Sequence, residues 1–316
     1  MKKAITSQFF NLERIPIQDL LYLSVAPFNL FTQDKLSIPT LKAGQKIDRS
    51  TIKNIMRSGH FTLLFDQIEA DQLKVSYKKE IIEICKKFSH GNPSVNIIKL
   101  CCLFISHQKL VYKNPFDRAL LQQHWSLLKI ISEVINTNQQ YLPKVFKTLS
   151  NLTFHYLSLQ PLLSTIIYFG LLNFSKVFDK KFNQELFIAS LLKDIGMSLV
   201  PVEILSSPQL TKDEKNKIDE HANFSYILCE QNLHLSTTQL NLIKHHHDIK
   251  SEKILFGPEL TFIHFSDALS ALISDRPHRP RNTLYKALEV IKHSNANNHA
   301  AEFKLLVQFS SKFFNI

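Results

Sequence analysis

The sequence predicts a mainly α protein with a small β-rich unit at its N-terminus. Three observations carry this. Only 6 of the 316 residues are glycine and 12 are proline, too few for the many tight turns of an all-β chain. From about Gln67 onward, apolar residues recur at helical spacing. Before that point, short apolar runs are separated by Pro27, Pro39 and Gly44, the texture of strands and turns. Hydrophobic residues make up 44% and charged residues 21% of the chain, so it folds, and its length suits one large or two modest domains.

The elements follow in order. Within residues 1–66, Leu21 to Val25, Leu36 to Leu41 and Phe61 to Phe65 read as strands. Between them Thr51 to Arg57 reads as a helix, capped by Asp48 or Ser50 and closed by Gly59. A connecting helical region spans 67–152. Its first helix, Gln72 to Ser89, ends at Gly91-Asn92-Pro93, after which Ser94 can cap the next. Asp117 to Asn136 and Leu142 to Asn151 complete the region. The third part, 153–316, opens at Ser158-Leu159-Gln160-Pro161, a cap followed by a first-turn proline. The very apolar helix from there to about Val177 belongs at the centre of a bundle.

Composition narrows the function. So few glycines leave little room for a dinucleotide-binding turn or a P-loop. The net charge of +11 would suit an anionic ligand, a nucleic acid or a membrane surface. It is spread along the chain without a long basic block, however, which favours an ordinary solvated surface, and no specific nucleic-acid partner is expected. Cys85, Cys101, Cys102 and Cys229 form no C-x-x-C pair and read as thiols of a reducing compartment. Arg14 interrupts the N-terminal stretch before any long apolar run, so neither a signal peptide nor a membrane span is expected, and the expected location is cytoplasmic.

The chemistry is concentrated after Glu185. An apolar helix, Glu185 to Ile195, ends in Lys193-Asp194-Ile195-Gly196. Val200-Pro201-Val202-Glu203-Ile204-Leu205 leads to Thr211-Lys212-Asp213-Glu214, a capping box that starts a helix with His221 about three turns in. A further helix, Thr238 to His247, ends in His245-His246-His247-Asp248. Phe262 to Ile273 carries Asp267 and is followed by Ser274-Asp275-Arg276-Pro277-His278-Arg279. Over roughly Ser158 to Asn315, the order LLKDIG, VPVEIL, capping box with His221, histidine run and SDALSALISDRPHR resembles the HD-GYP family of HD phosphohydrolases, the cyclic di-GMP phosphodiesterase branch. The N-terminal region also looks like a β-rich domain that precedes HD-GYP modules in some members.

The resemblance implies an HD-type helical bundle holding two or three metal ions, with imidazoles and bridging carboxylates as ligands and a hydroxide attacking a phosphodiester. Matched residue by residue, it implies Asp194 as the bridging carboxylate, His221, His246 and His247 as further metal ligands, and Asp267 as the late aspartate. Arg276 and Arg279 match the arginines that hold phosphates by paired donors; a salt bridge or a helix end is the alternative role for both. The departures are concentrated. Lys193 replaces the histidine of the HD pair, Met197 stands where a lysine is expected, and the GYP triplet is missing from the short segment Asp248 to Pro258. The first family histidine falls at Pro161 or its neighbours, with His155 the nearest candidate.

One set of family ligands is therefore broken while Asp194, His221, His246 and His247 remain. A protonated lysine has donors and no lone pair, so Lys193 is expected to stand as a fixed charge beside Asp194 and Asp267. The expected cofactor is one divalent metal (iron, manganese or zinc) or none. The expected function is that of a degenerate HD-GYP-like signalling protein, inactive as a cyclic di-GMP phosphodiesterase, that regulates, senses a nucleotide or engages a protein. A divergent phosphohydrolase with a reduced metal site and a scaffold without nucleotide affinity are the alternatives. Expected partners are cyclic di-GMP or another cyclic dinucleotide and a protein, which includes a second copy of the chain.

Overall fold

The computed structural model describes residues 11–86, 93–152, 156–205, 207, 209–248, 257–275, 279–295 and 299–315. His155 and Arg276 lie outside them. The fold is mainly α with one small antiparallel sheet, and the chain divides into two compact units, residues 1–110 and 111–316.

In the first unit, strand β1 (Leu12–Pro16) pairs antiparallel with β2 (Thr62–Asp66), Arg14 facing Leu64. Only the second matches an expected strand. Val25 and Leu41 make isolated bridges, to Lys46 and Leu30, so Leu21 to Val25 and Leu36 to Leu41 are not strands. Their turns bring too few consecutive main-chain groups into register for a ladder. Helix α1 (Ile17–Leu20) follows β1 directly. Asp48 caps α2 (Arg49–Arg57), accepting from the Thr51 N–H at 2.8 Å. Gly59 leaves it with φ +84°, a left-handed conformation that glycine adopts without strain. Helix α3 spans Ala70–Lys86 and α4 spans Pro93–Lys113. Proline serves as the first residue of α4, so the helix starts ahead of the expected cap at Ser94. Asp19 is buried and held by Lys109 at 2.8 Å and Ser106 at 3.1 Å.

The second unit is a helical bundle. Asp117 caps α5 (Arg118–Thr137), and α6 (Leu142–Leu149) follows. Helix α7 (Tyr156–Ser175) is the central, almost wholly apolar element expected from the sequence. It begins ahead of Ser158, so Ser158 is not its cap and Pro161 sits in its second turn. Asp179 caps α8 (Lys180–Leu192), which crosses α7 through a Phe169–Phe187 edge-on contact and the buried Thr165–Ser190 hydroxyl pair at 2.7 Å. Short helix α9 (Val202–Leu205) precedes α10 (Lys212–Asp219), whose Thr211–Glu214 capping box is formed. Helix α11 (His221–Asn232) is separate from α10. His221 therefore opens a helix and does not lie three turns into one. Ser236 and Gln239 form a second capping box at α12 (Thr237–His245). Helix α13 (Pro258–Leu272) packs along α7, and α14 (Leu284–Asn295) and α15 (Ala300–Phe314) close the unit.

All four cysteines are free thiols, and Cys101, Cys102 and Cys229 are buried. Among the described residues no helix is long and apolar enough to cross a membrane.

Candidate metal centre

Four helix ends meet at one point of the second unit. Helix α8 stops at Lys193, and the chain turns through Asp194 into a short 3-10 helix, Ile195–Leu199. Gly196 permits that turn to press onto α11, because a Cβ there would lie 2.3 Å from the His221 carbonyl oxygen and 2.6 Å from the Ser225 nitrogen. Its N–H donates to Ser225 Oγ at 2.8 Å, locking the contact. Tyr112 donates to the Asp194 carbonyl at 3.2 Å.

The histidines reach the same point by one device used twice. His221 Nδ1 lies 2.6 Å from the Ile218 carbonyl, and His246 Nδ1 lies 2.7 Å from the Ile243 carbonyl. A carbonyl only accepts, so each Nδ1 carries its proton and each Nε2 is left with the lone pair when the ring is neutral. The two Nε2 atoms are 3.2 Å apart, and they lie 3.3 and 3.5 Å from Asp194 Oδ1. Three electron-pair donors thus converge where one proton at most can be shared between the two imidazoles. His247 joins them, its ring 4.0 Å from that of His246, and one ligand atom from each of the four residues lies within 4.8 Å of the others. His247 keeps an exposed edge. Desolvation of its ring and the adjacent His246 and His221 pull its pKa down to about 2, so it stays neutral with a lone pair to give.

This donor set fits a metal ion. Bonds of about 2.0–2.1 Å to nitrogen and carboxylate oxygen place tetrahedral donors about 3.3–3.4 Å from one another, against 3.2–3.5 Å among the donors of Asp194, His221 and His246, with all four donors, His247 included, within 4.8 Å. The His221 and His246 rings would also carry the customary outer hydrogen bond from their other nitrogen to a main-chain carbonyl. Electrostatics agree. With neutral imidazoles, the Lys193 ammonium offsets only one of the two carboxylates Asp194 and Asp267, leaving the pocket one negative charge in excess.

Lys193 is almost wholly buried, at 2% exposure. Its ammonium donates to Asp194 Oδ2 and lies 3.1 Å from Asp267 Oδ1. Burial opposes that charge, but the two carboxylates outweigh it and raise the pKa. Burial likewise opposes ionisation of Asp194, and the Lys193 charge overrides it, holding the carboxyl well below its ordinary value. Asp267 also accepts from Ser164, and its buried Oδ2 has no partner. The structure thus brings Asp267 to Lys193 and not into the four-residue cluster.

A cavity of about 350 Å³ opens over this floor. Pro161, Met197, Ile218, Ala268 and Ala271 give it apolar walls, and Gln160 and His264 add polar groups. Its size lies in the ~300–1,000 Å³ range of small-molecule sites. Pro161 and Met197 are thus among its lining residues. The sequence reading missed His264, Ser164 and Gln160. His264 had a signal, since it stands three residues before Asp267 on one helix face. Arg279 sits elsewhere, donating to the Ala271 carbonyl at 2.7 Å and the Leu272 carbonyl at 3.3 Å at the end of α13.

Comparison with solved structures gives this arrangement a relative. Bd1817, an HDG"Y"P protein from Bdellovibrio bacteriovorus, superposes with a TM-score of 0.68 over 94% of this chain and 99% of that one. The chain shares its fold with an HD-GYP protein. The two sequences are 15% identical. No family model and no curated protein matches the sequence. The HD-GYP-like fold extends over nearly the whole chain, beyond the 158–315 stretch whose motifs carry the resemblance.

Proposed function

We propose that the chain is an HD-GYP-like signalling protein with a mononuclear metal centre, which senses a cyclic dinucleotide, cyclic di-GMP among them, and does not hydrolyse it. Asp194, His221, His246 and His247 hold one divalent ion of the iron, manganese or zinc kind, for which imidazole and carboxylate are suitable ligands. Such an ion supplies Lewis acidity and polarises a bound phosphate oxygen.

The observation that carries the proposal is Lys193. In two-metal phosphoryl chemistry, a pair of cations clamps the attacking and leaving oxygens. Here an ammonium lies against Asp194 and 3.1 Å from Asp267, where the resemblance places ligands of a second ion. The ammonium offsets one of those two carboxylate charges and fixes the orientation of Asp194, so that Oδ1 is turned to the histidines. It has no coordination position to offer a water. Asp267, held by Ser164 and Lys193, keeps the ammonium in place, and the apolar walls keep bulk water from screening the pair.

The cavity over the floor is the place for the ligand, and it favours one second reading: Asp194, His221 and His247 line it, so a phosphodiester seated there would lie beside the ion they would hold, as single-metal hydrolysis requires. One assay separates the two. Protein reconstituted with manganese or reduced iron is incubated with cyclic di-GMP and the products are resolved by chromatography, with binding measured in parallel. Binding without a linear product is the expected result. Turnover that disappears in His246→Ala would establish the single-metal hydrolase instead. Failure of every cyclic dinucleotide to bind would leave a protein-interaction role.

A further inference from the structure

We infer that the second unit holds a separate site for a nucleotide in the cavity between α6 and the C-terminal end of α15. This cavity measures about 850 Å³ and is distinct in its lining from the one over Asp194. Three cationic side chains border it: Lys144 and Lys147, one turn apart on α6, and Arg281 from the segment after α13. No carboxylate lines it among the described residues. None of the three cations makes an ion pair among the described residues. Asp275 is the nearby acid in sequence, and its carboxylate accepts from the Arg281 main-chain N–H at 3.0 Å.

Three like charges around one concavity repel one another and concentrate a positive field there, which an anion with several oxygens relieves. The aromatic floor specifies more than phosphate. Phe146 and Phe313 are buried, while Phe314 is half-exposed and meets both edge-on, with ring centroids 5.5 and 5.0 Å away. These contacts hold the Phe314 ring at a fixed angle at the mouth, a platform of the kind on which a base stacks. Asn282 and Asn315 supply amides at the border, suited to a base edge or ribose. Charge for a phosphate chain, a fixed ring for a base and a volume within the ~300–1,000 Å³ range of small-ligand sites together describe a nucleotide.

Calorimetric titration of the full chain in chelator tests this, with GTP, guanosine and inorganic triphosphate as probes. GTP is expected to bind once per chain, more tightly than either fragment and more weakly as salt rises. Lys144→Gln/Lys147→Gln replaces two exposed side chains by uncharged, polar, unbranched ones and should weaken GTP at least about tenfold, given the strength of charge-assisted phosphate contacts. Phe314→Leu should weaken GTP and leave triphosphate unchanged. His246→Ala should leave GTP binding intact, since that residue belongs to the other cavity. Absence of GTP binding, equal affinity for triphosphate, indifference to the double lysine change or loss in His246→Ala would each overturn the inference. None of these results bears on metal content, so the two sites are judged independently.

Discussion

Replacing Lys193 by methionine tests the electrostatic core of the site. The change keeps an unbranched side chain of similar length and removes the ammonium that lies against Asp194 and 3.1 Å from Asp267. With the lysine only 2% exposed, two carboxylates are left facing one another with little solvent. Deleting one partner of a buried ion pair costs about 3–5 kcal/mol. The affected unit, residues 111–316, falls in the 150–250-residue class where 1 kcal/mol moves Tm by about 2–4 °C, so metal-free Lys193→Met should melt roughly 6–20 °C below the wild type at neutral pH.

The pH dependence supplies a second reading of the same variant. In the wild type Asp194 has a depressed folded pKa, so its stabilisation is present above the unfolded carboxylate range and fades as pH falls through the folded value. In the variant the sign reverses. Burial and mutual repulsion raise the folded pKa of the two carboxyls, so stability is kept at low pH and lost as pH rises. The recovery of the variant narrows the gap between the two proteins on acidification toward pH ~4, and the loss in the wild type narrows it further below that. Thermal melts monitored by circular dichroism across pH would refute the reasoning if the variant matched the wild type at neutral pH or if the gap widened in acid.

Three further outcomes are expected. Gly196→Ala forces a Cβ against the His221 carbonyl and the Ser225 nitrogen, an overpacking that costs about 1–3 kcal/mol; it should also weaken metal affinity by displacing His221, as read from denaturant melts and metal titration. Arg279→Ala strips donors from the Ala271 and Leu272 carbonyls at the end of α13 and should cost about 1–3 kcal/mol while leaving metal content unchanged. His246→Ala should abolish the rise in Tm that added manganese or iron produces in the wild type.

The features legible in the sequence were those written in local chemistry. The capping box at Thr211–Glu214 and the caps at Asp48 and Asp117 sit where their residue types require. The juxtaposition of Asp194 with His221, His246 and His247 was implied by the family resemblance that the motif order carries, and the four residues do meet. What depended on distant partners was not legible. Strand β1 alternates through Glu13 and Arg14 and is defined by pairing with residues about fifty positions away. The separation of α10 from α11 has no glycine or proline to announce it. It coincides with the His221 imidazole claiming the Ile218 carbonyl, as His246 does with Ile243 at the end of α12. The Ser164 contact to Asp267 joins α7 to α13 across the bundle, and no local pattern signals it.

The claim at the centre of this account is a mononuclear site with Lys193 in the room of a second ion. Elemental mass spectrometry on tag-free protein, reconstituted with manganese or iron under reducing conditions and freed of excess metal, tests it directly. One ion per chain, lost in His246→Ala, is the predicted result. Two ions per chain would require ligands for a second ion beside Lys193, and none would show that Asp194, His221, His246 and His247 hold no ion; either contradicts the account.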